Sequence, residues 1–500
     1  MATRVDEIGG VMAGEDKAAT IYWHDYEAFG ADARRDRASQ FAGIRTDTEL
    51  NEVEAPLVIY CQPAVDMLPH PQACLITGIT PQQARKRGLP EAEFIRQIHE
   101  QFARPQTCVA GFNSIRFDDE LTRQLLYRNF YDAYEREWKN GNSRWDIIDV
   151  VRLCYALRPD GIVWPEKEDG TVSFRLEALS AANGISHQDA HDALSDVRAT
   201  IAVAKLVKTR QPRLYDYAFA LRSKHRVNEL LDVAAHTPVL HISSMYPARM
   251  GCLALTMPLA MHPVDSNGVL LYDLRTDPTP WLDMTTEQLR QSLFRSRAEL
   301  VDGEERLPVK VLHANRCPML ASPAALAANR AQQLQIDMAQ SRAHWQIIHA
   351  RPDFIARVSE AFAARPDFEA LTDPDFMLYA GGFFSAADKR LMTRVRQMSA
   401  QDLASESAQL ASAFSDSRLP EMLFRYRARN YPQSLTAPEQ QAWREFCHQR
   451  LTRGSDVPGA GPDLASYDEW LAKLRESAAG DTQEGMLQDL QQWRDEVCQL

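Results

Sequence analysis

The sequence predicts an α/β fold running into a β-rich region and then a helical one, on three observations. The first 210 residues alternate strand and helix signals, the pattern of an α/β domain. From about 213 to 350, short strands with frequent Pro and Gly take over, and from about 351 onward helical periodicity dominates. At 500 residues the chain is also too long for a single core.

Each element has its own justification. Thr20–Trp23 leads into His24–Glu27 as a short apolar strand, and Phe41–Arg45 and Leu57–Cys61 are two more strands between turn-rich polar stretches. Glu91–Phe102 sets Phe94, Ile98 and Phe102 at helical spacing. Thr107–Phe112 reads as a buried strand, and Asp118–Phe130 and Arg144–Leu157 as helices. Leu176–Ala182 ends at Asn183-Gly184, a helix stop, and His191–Lys208 is a long helix closed by Gln211-Pro212. In the middle region Pro238–Ile242, Gly268–Asp273 and Val309–Leu312 are strands. Arg-Pro-Asp-Phe occurs at 351–354 and 365–368, and Pro early in a helix accounts for both without a repeat architecture. Arg453–Pro462 reads as a Gly/Pro-rich linker, and Leu464–Leu500 as two polar-faced helices.

Composition narrows the function classes. The chain is 45% hydrophobic, 25% charged and 9% aromatic, as a soluble globular protein is. No apolar run is long enough to cross a bilayer, so no membrane association is expected. Residues 1–19 carry Asp6, Glu7, Glu15, Asp16 and Lys17 without an apolar stretch, which predicts a disordered leader and not a signal peptide. Eight scattered cysteines form no Cys-x-x-Cys pair. That speaks against a zinc ribbon or disulfide framework and suits a reducing cytoplasm. The net charge of −12 argues against indiscriminate coating of DNA but leaves room for a local cationic path. The remaining α/β option, a dinucleotide-dependent oxidoreductase, lacks its Gly-x-Gly-x-x-Gly after a strand.

Three short patterns carry chemistry. In Asp25-Tyr26-Glu27 on a strand, residues i and i+2 share a face, so both carboxylates project together while Tyr26 points away. Two hard oxygen ligands side by side can hold Mg²⁺ or Mn²⁺; the same pair is also ordinary at a strand edge. Next, Gly111–Phe112 leads through Asn113 into a helix opening with Asp118, Asp119 and Glu120. Acids in a first turn complement the helix dipole, or Asp118 is a metal-site carboxylate with Asp119 and Glu120 facing solvent. Last comes His191-Asp192-Ala193-Leu194-Ser195-Asp196. Five helical residues separate side chains by roughly 140°, so His191 sits at or before the helix start and Asp196 one turn inside. Asp192 as N-cap beside a surface histidine fits the same residues.

In this order and spacing, the three patterns resemble the DEDDh exonuclease superfamily. Ala28 stands where superfamily members usually have Thr after the first Glu, which removes a hydroxyl near the substrate but no metal ligand. Further segments are similar to the bacterial exodeoxyribonuclease I family: 24–27, 75–81, 142–146, 154–159, 173–177, 206–213 and 426–430. The resemblance implies an RNase H-like exonuclease domain (20–211), an SH3-like β-barrel with helical inserts (212–365) and a C-terminal α-helical domain (366–500), closing round one DNA strand. It implies 3′→5′ removal of mononucleotides from single-stranded DNA, in repair and recombination, by two-metal-ion phosphodiester hydrolysis. Two Mg²⁺ ions per site are expected, with Mn²⁺ as the alternative. Asp25, Glu27 and Asp196 are the expected metal ligands, Asp118 completes the site directly or through water, and His191 is the general base. Glu27 and Arg175 are expected at the substrate.

Strand binding calls for cations on phosphates and rings on bases. The resemblance makes Arg123, Tyr134, Trp138, Arg152 and Phe174 candidates; Trp138 is equally a core residue by type, and Arg152 can pair with Asp149 on its own helix. Lys208, Arg210 and Arg213 line the channel or end a solvated helix. Arg425, Arg427 and Arg429, interleaved with Phe424, Tyr426 and Tyr431, hold DNA, hold an acidic protein tail, or pack a helix end. The family binds the acidic C-terminal tail of single-stranded-DNA-binding protein, and a monomer is expected. An RNA-trimming exonuclease with the same five residues and a catalytically dead DNA-binding scaffold are the competing readings. The large C-terminal two-thirds speak against the first, and an intact five-residue set against the second.

Overall fold

The computed structural model describes residues 19–187, 192–295, 305–363, 371–453, 461–477 and 480–499. The expected leader, apart from its last residue, and His191 lie outside these residues. Strands β1 (Thr20–Ala28), β2 (Ala38–Thr46), β3 (Leu57–Tyr60), β4 (Thr107–Gly111) and β5 (Ser143–Asp146) form one sheet in the order β3-β2-β1-β4-β5. β1 pairs antiparallel with β2 and parallel with β4, and β5 runs parallel to β4. This mixed sheet is the RNase H-like arrangement. Its two faces are both covered, so β1 and β2 are buried almost throughout, polar residues included. Ile21 and Trp23 join the core under the helix Ala193–Arg210, while Tyr22 and Tyr26 pack with Phe41, Phe94 and Phe102 on the other face.

The expected helix over Arg144–Leu157 begins only at Ile147. Arg144, Trp145 and Asp146 extend as β5 beside Val109, Ala110 and Gly111, and Asp146 then caps the helix by accepting from the Ile148 N–H at 3.2 Å. Sheet pairing overrides the helical pattern there. The helix expected over His191–Lys208 spans Ala193–Arg210, with Asp192 as its N-cap. The helices Glu91–Phe102 and Leu176–Ala182 have the expected bounds.

A second sheet, wholly antiparallel, contains β6 (Val239–Ile242), β7 (Leu253–Met261), β8 (Gly268–Asp273), β9 (Val309–His313) and β10 (Met319–Ala321) in the order β10-β6-β7-β8-β9. The helix Thr286–Phe294 is inserted between β8 and β9. This is the SH3-like part. β7, its longest strand, escapes a pattern search because Pro258 interrupts it at a bulge between Pro258 and Ala260. One hydrophobic core runs from Trp23 and Trp145 through Tyr215 to Leu240, Leu255 and Leu270, so the two sheets share an interior. Cys317 Sγ donates to the Arg144 carbonyl at 3.0 Å across that join.

Helices make up the remainder. Ala386–Gln397, Ala400–Ala413 and Leu419–Asn430 pack on Tyr127 and Phe130, and Leu464–Ser477 with Asp481–Cys498 packs on Cys74 and Ile79. Between the helices and the first sheet lies a buried ion cluster. Asp66, wholly buried, takes Arg429 and Arg450 at 2.8 Å, and Asp375 takes Arg425 at 3.0 Å and Arg429 at 2.5 Å. Arg427 forks onto Glu439 at 2.6 Å. Of the readings open for Arg425, Arg427 and Arg429, this favours a packed helix end over a surface for DNA or an acidic tail: all three pair with carboxylates of this chain. Lys208 likewise pairs with Glu49 at 2.9 Å, as a surface helix end does.

Burial by itself would raise the Asp66 carboxyl, but Arg429, Arg450 and Arg37 hold it below the ordinary carboxylate range. Removing it takes one carboxylate from each of three buried guanidinium groups. Asp66→Ala is expected to cost about 3–5 kcal/mol, read as a lower thermal unfolding midpoint. A loss below about 1 kcal/mol would contradict the cluster's role in seating the helices.

Candidate active site

The site is assembled where β1 emerges from under its covering helices. Asp25 and Glu27 stand opposite Ala42 and Gln40 of β2, and the register shifts between Glu27 and Ala28. Tyr26 turns away as alternation requires; its hydroxyl meets Thr122 Oγ1 at 3.1 Å in the opposite layer. Asp196 enters from the first turn of Ala193–Arg210. Gln40 anchors that helix start: its Nε2 donates to Asp192 Oδ1 at 3.3 Å, and its Oε1 accepts from the Ala193 N–H at 3.5 Å. Asp25, Glu27 and Asp196 each offer a carboxylate oxygen, all within 4.8 Å of one another.

Asp118 arrives on a separate path. After β4 the chain turns at Asn113, whose φ is 62°, and Asp146 holds the turn by accepting from the Asn113 and Ile115 N–H groups at 2.8 and 3.1 Å. Gly111 is required for this approach, since a Cβ there would lie 2.9 Å from the His24 carbonyl oxygen. The helix Asp118–Arg128 then begins, and Asp118 Oδ1 accepts from the Tyr26 N–H at 3.2 Å.

Asp119 and Glu120 do not face solvent, contrary to expectation. Asp119, only 2% exposed, takes Arg136 at 2.6 Å and Arg144 at 2.8 Å, and Glu120 accepts from the Tyr379 hydroxyl at 2.5 Å. The helix starts inside the fold, so Asp118 and Asp119 are buried and Glu120 is largely covered.

Electrostatics mark the cluster. Burial, and then the charges of Asp118, Glu27, Asp196 and Asp192, push Asp25 well above the ordinary carboxylate range. The same causes push Glu27, 8% exposed, up to about 8. Burial and Asp119 raise Asp118. Hard oxygen donors raised by burial and by neighbouring carboxylates suit a divalent cation, which would restore their ionised forms.

A cleft of about 910 Å³ opens over Asp25 and Asp196. Arg152, Phe174 and Arg175 line it. Arg152 also pairs with Asp149 on its own helix at 2.6 Å. Arg123, Tyr134 and Trp138 are not in this lining. Arg123 forks onto Glu137 at 2.8 and 3.1 Å, Tyr134 meets Phe383 with ring centroids 6.0 Å apart, and Trp138 is 65% exposed, which rules out a core role. Sequence reasoning missed Lys167, Ser244 and Tyr246 of the lining, and His187, whose Nε2 lies 2.5 Å from Asp196 Oδ1. Ser244 and Tyr246 come from the second sheet's side and have no local signature; a histidine four residues before His191 was the one available hint.

A strand-borne carboxylate pair, joined by one from a strand-to-helix turn and one from a late helix beneath a groove, defines an RNase H-like exonuclease. Residues 22–204 match the family described as Exonuclease, 222–364 the Exonuclease I SH3-like domain and 372–497 the Exonuclease I C-terminal domain. Exodeoxyribonuclease I of Escherichia coli strain K12 is 44% identical over 97% of this chain and 100% of its own length. The solved structure of the E. coli enzyme with a dA16 oligonucleotide superposes with a TM-score of 0.91 at 44% identity, covering 96% of this chain and all of that one. Exonuclease I of Methylocaldum szegediense, 48% identical, superposes with a TM-score of 0.90 over the same shares. The chain belongs to the exodeoxyribonuclease I family, and is a 3′→5′ exonuclease of single-stranded DNA.

The raised carboxylates give a pH signature. A group such as Glu27, lifted from 4.5 to about 8, favours the metal-free fold while protonated. That contribution is complete below about pH 4.5 and is lost as pH rises through about 8. A divalent cation requires the ionised forms, so its stabilising effect should grow over the same window. The Mg²⁺-induced rise in thermal midpoint, measured against chelator, is expected to be larger near pH 9 than near pH 6. An equal rise at both would show that these carboxylates do not titrate with the cation.

Proposed function

We propose that Asp25, Glu27 and Asp196 ligate two Mg²⁺ ions, for which Mn²⁺ can substitute, that Asp118 completes the site, and that His191 is the general base. The convergence of three carboxylates within 4.8 Å beside a cleft carries this reading. When bound, a pair of divalent ions eases ionisation of the attacking water and offsets charge on the departing 3′ oxygen. The residues do the positioning. β1 sets Asp25 and Glu27 on one face, the Gln40 clamp fixes the helix that bears Asp196, and the Tyr26 N–H orients Asp118. His191 takes the proton of the attacking water, for which an imidazole titrating near neutrality is suited.

In the same reading Arg175 and Arg152 hold phosphates at the cleft, Phe174 stacks on a base, and Arg123, Tyr134 and Trp138 extend the path of the strand. The domain limits are 20–211, 212–365 and 366–500. The enzyme acts as a cytoplasmic monomer and binds the C-terminal tail of single-stranded-DNA-binding protein; a related SSB/exonuclease I assembly supports that partner. A zinc-bound form of the E. coli enzyme supports a divalent metal centre.

His191→Ala is expected to lower turnover on oligo-dT by at least about a hundredfold while leaving DNA affinity within a few-fold. Turnover near wild type would rule out the assigned base. A time course on 3′- and 5′-labelled strands, with Mg²⁺ and with chelator, tests polarity and metal need together; RNA digested as fast as matched DNA would favour the RNA-trimming alternative.

A further inference from the structure

We infer that His187 is a positioning residue that holds the Asp196 carboxylate in place for the metal site. The inference rests on the reading of Asp196 as a metal ligand. His187 Nε2 lies 2.5 Å from Asp196 Oδ1, and its side chain is 4% exposed. With Asp196 ionised, as a metal ligand requires, its oxygens can only accept, so in the metal-bound form Nε2–H donates to Oδ1. Among the described residues Nδ1 has no hydrogen-bond partner. Packing by itself would favour an apolar side chain here, since burying a polar ring atom without a partner costs free energy. The Asp196 contact is what the imidazole adds.

The backbone that carries His187 is pinned. The helix Leu176–Ala182 closes at Asn183, Gly184 follows with φ 67°, and the Ile185 N–H donates to the Ser180 carbonyl at 2.9 Å. Ile185 packs against the main core. His187 follows two residues later, so its ring reaches Asp196 from a fixed base and not from a long loop.

The need for such a donor follows from the charges. A terminal carboxylate torsion is broad and sets no orientation by itself. Asp25 and Glu27 repel Asp196, and repulsion would swing its carboxylate away from them. A hydrogen bond from a buried ring opposes that swing. Asp192 and Gln40 fix the helix start, and His187 fixes the side chain upon it. Hydrogen bonds of this kind to metal-ligating groups change metal affinity by roughly 10–100-fold.

The test uses the full chain, with Mn²⁺ affinity measured by titration calorimetry without DNA, alongside turnover on oligo-dT as Mg²⁺ is varied. His187→Leu, which removes the donor and fills the space, is expected to weaken Mn²⁺ binding roughly 10–100-fold and to raise the Mg²⁺ needed for half-maximal turnover in parallel. Turnover at saturating Mg²⁺ should stay within about threefold. His187→Gln, which keeps a donor, should recover most of the affinity. In an Asp196→Asn background, His187→Leu should have no further effect on Mn²⁺ affinity. Unchanged Mn²⁺ affinity in a folded His187→Leu protein, or turnover lost with that affinity intact, overturns the inference. If His187→Leu does not fold, His187→Gln decides: near-wild-type affinity supports the inference, and a tenfold or greater loss in a folded protein overturns it. Asp196→Asn separates the two readings, because wild-type Mn²⁺ affinity in that variant would sink the ligand assignment itself.

Discussion

Like charges brought together out of water repel, and the architecture of this chain is organised round one such gathering. Burial, and then the charges of Asp118 and Asp196, raise the affinity of Asp25 and Glu27 for protons, as repulsion in a partly buried place does. Among the described residues, backbone geometry and a peptide donor position these four carboxylates. Strand alternation fixes two of them, a peptide N–H receives the third, and a capped helix presents the fourth. Asp119 would add a further charge next to Asp118, and here two buried arginines do intervene.

The domains attach to this centre by different physics. The SH3-like sheet shares a continuous apolar core with the exonuclease sheet, so Ser244 and Tyr246 reach the cleft wall on a surface held by packing. The C-terminal helices also bury apolar side chains, but their seat against the first sheet is a cluster of buried arginines and aspartates. Buried ion pairs add little net stability compared with apolar packing, yet removing one partner is costly. The cluster therefore fixes the arrangement of the parts more than it strengthens it.

Legibility in the sequence followed how local the governing interaction was. The helices Glu91–Phe102 and Leu176–Ala182 declare themselves by periodicity and stop signals, because packing of one face and a capping turn set their limits. Arg144–Asp146 was misread as helix because its partner strand lies more than thirty residues earlier in the chain. Arg425, Arg427 and Arg429 look like a binding surface until Asp66 and Asp375 are seen to face them. Asp119 looked like a solvent-facing acid for the same reason: Arg136 and Arg144, 17 and 25 residues on, carry no local sign of pairing with it.

What the sequence offered by itself is the set of candidate groups: Asp25 and Glu27 in strand alternation, Asp118 opening a helix after a buried strand, and Asp196 in the first turn of a later helix, with His191 five positions before it in the chain. Residue type and short spacing set which groups are available, and both are local properties. The tertiary structure decided which charges meet. It brought Gln40 to Asp192 across 152 residues, set His187 on Asp196, and turned a candidate binding patch into an internal clasp. Distance through space governs Coulomb and hydrogen-bond energies, and only the folded chain supplies it.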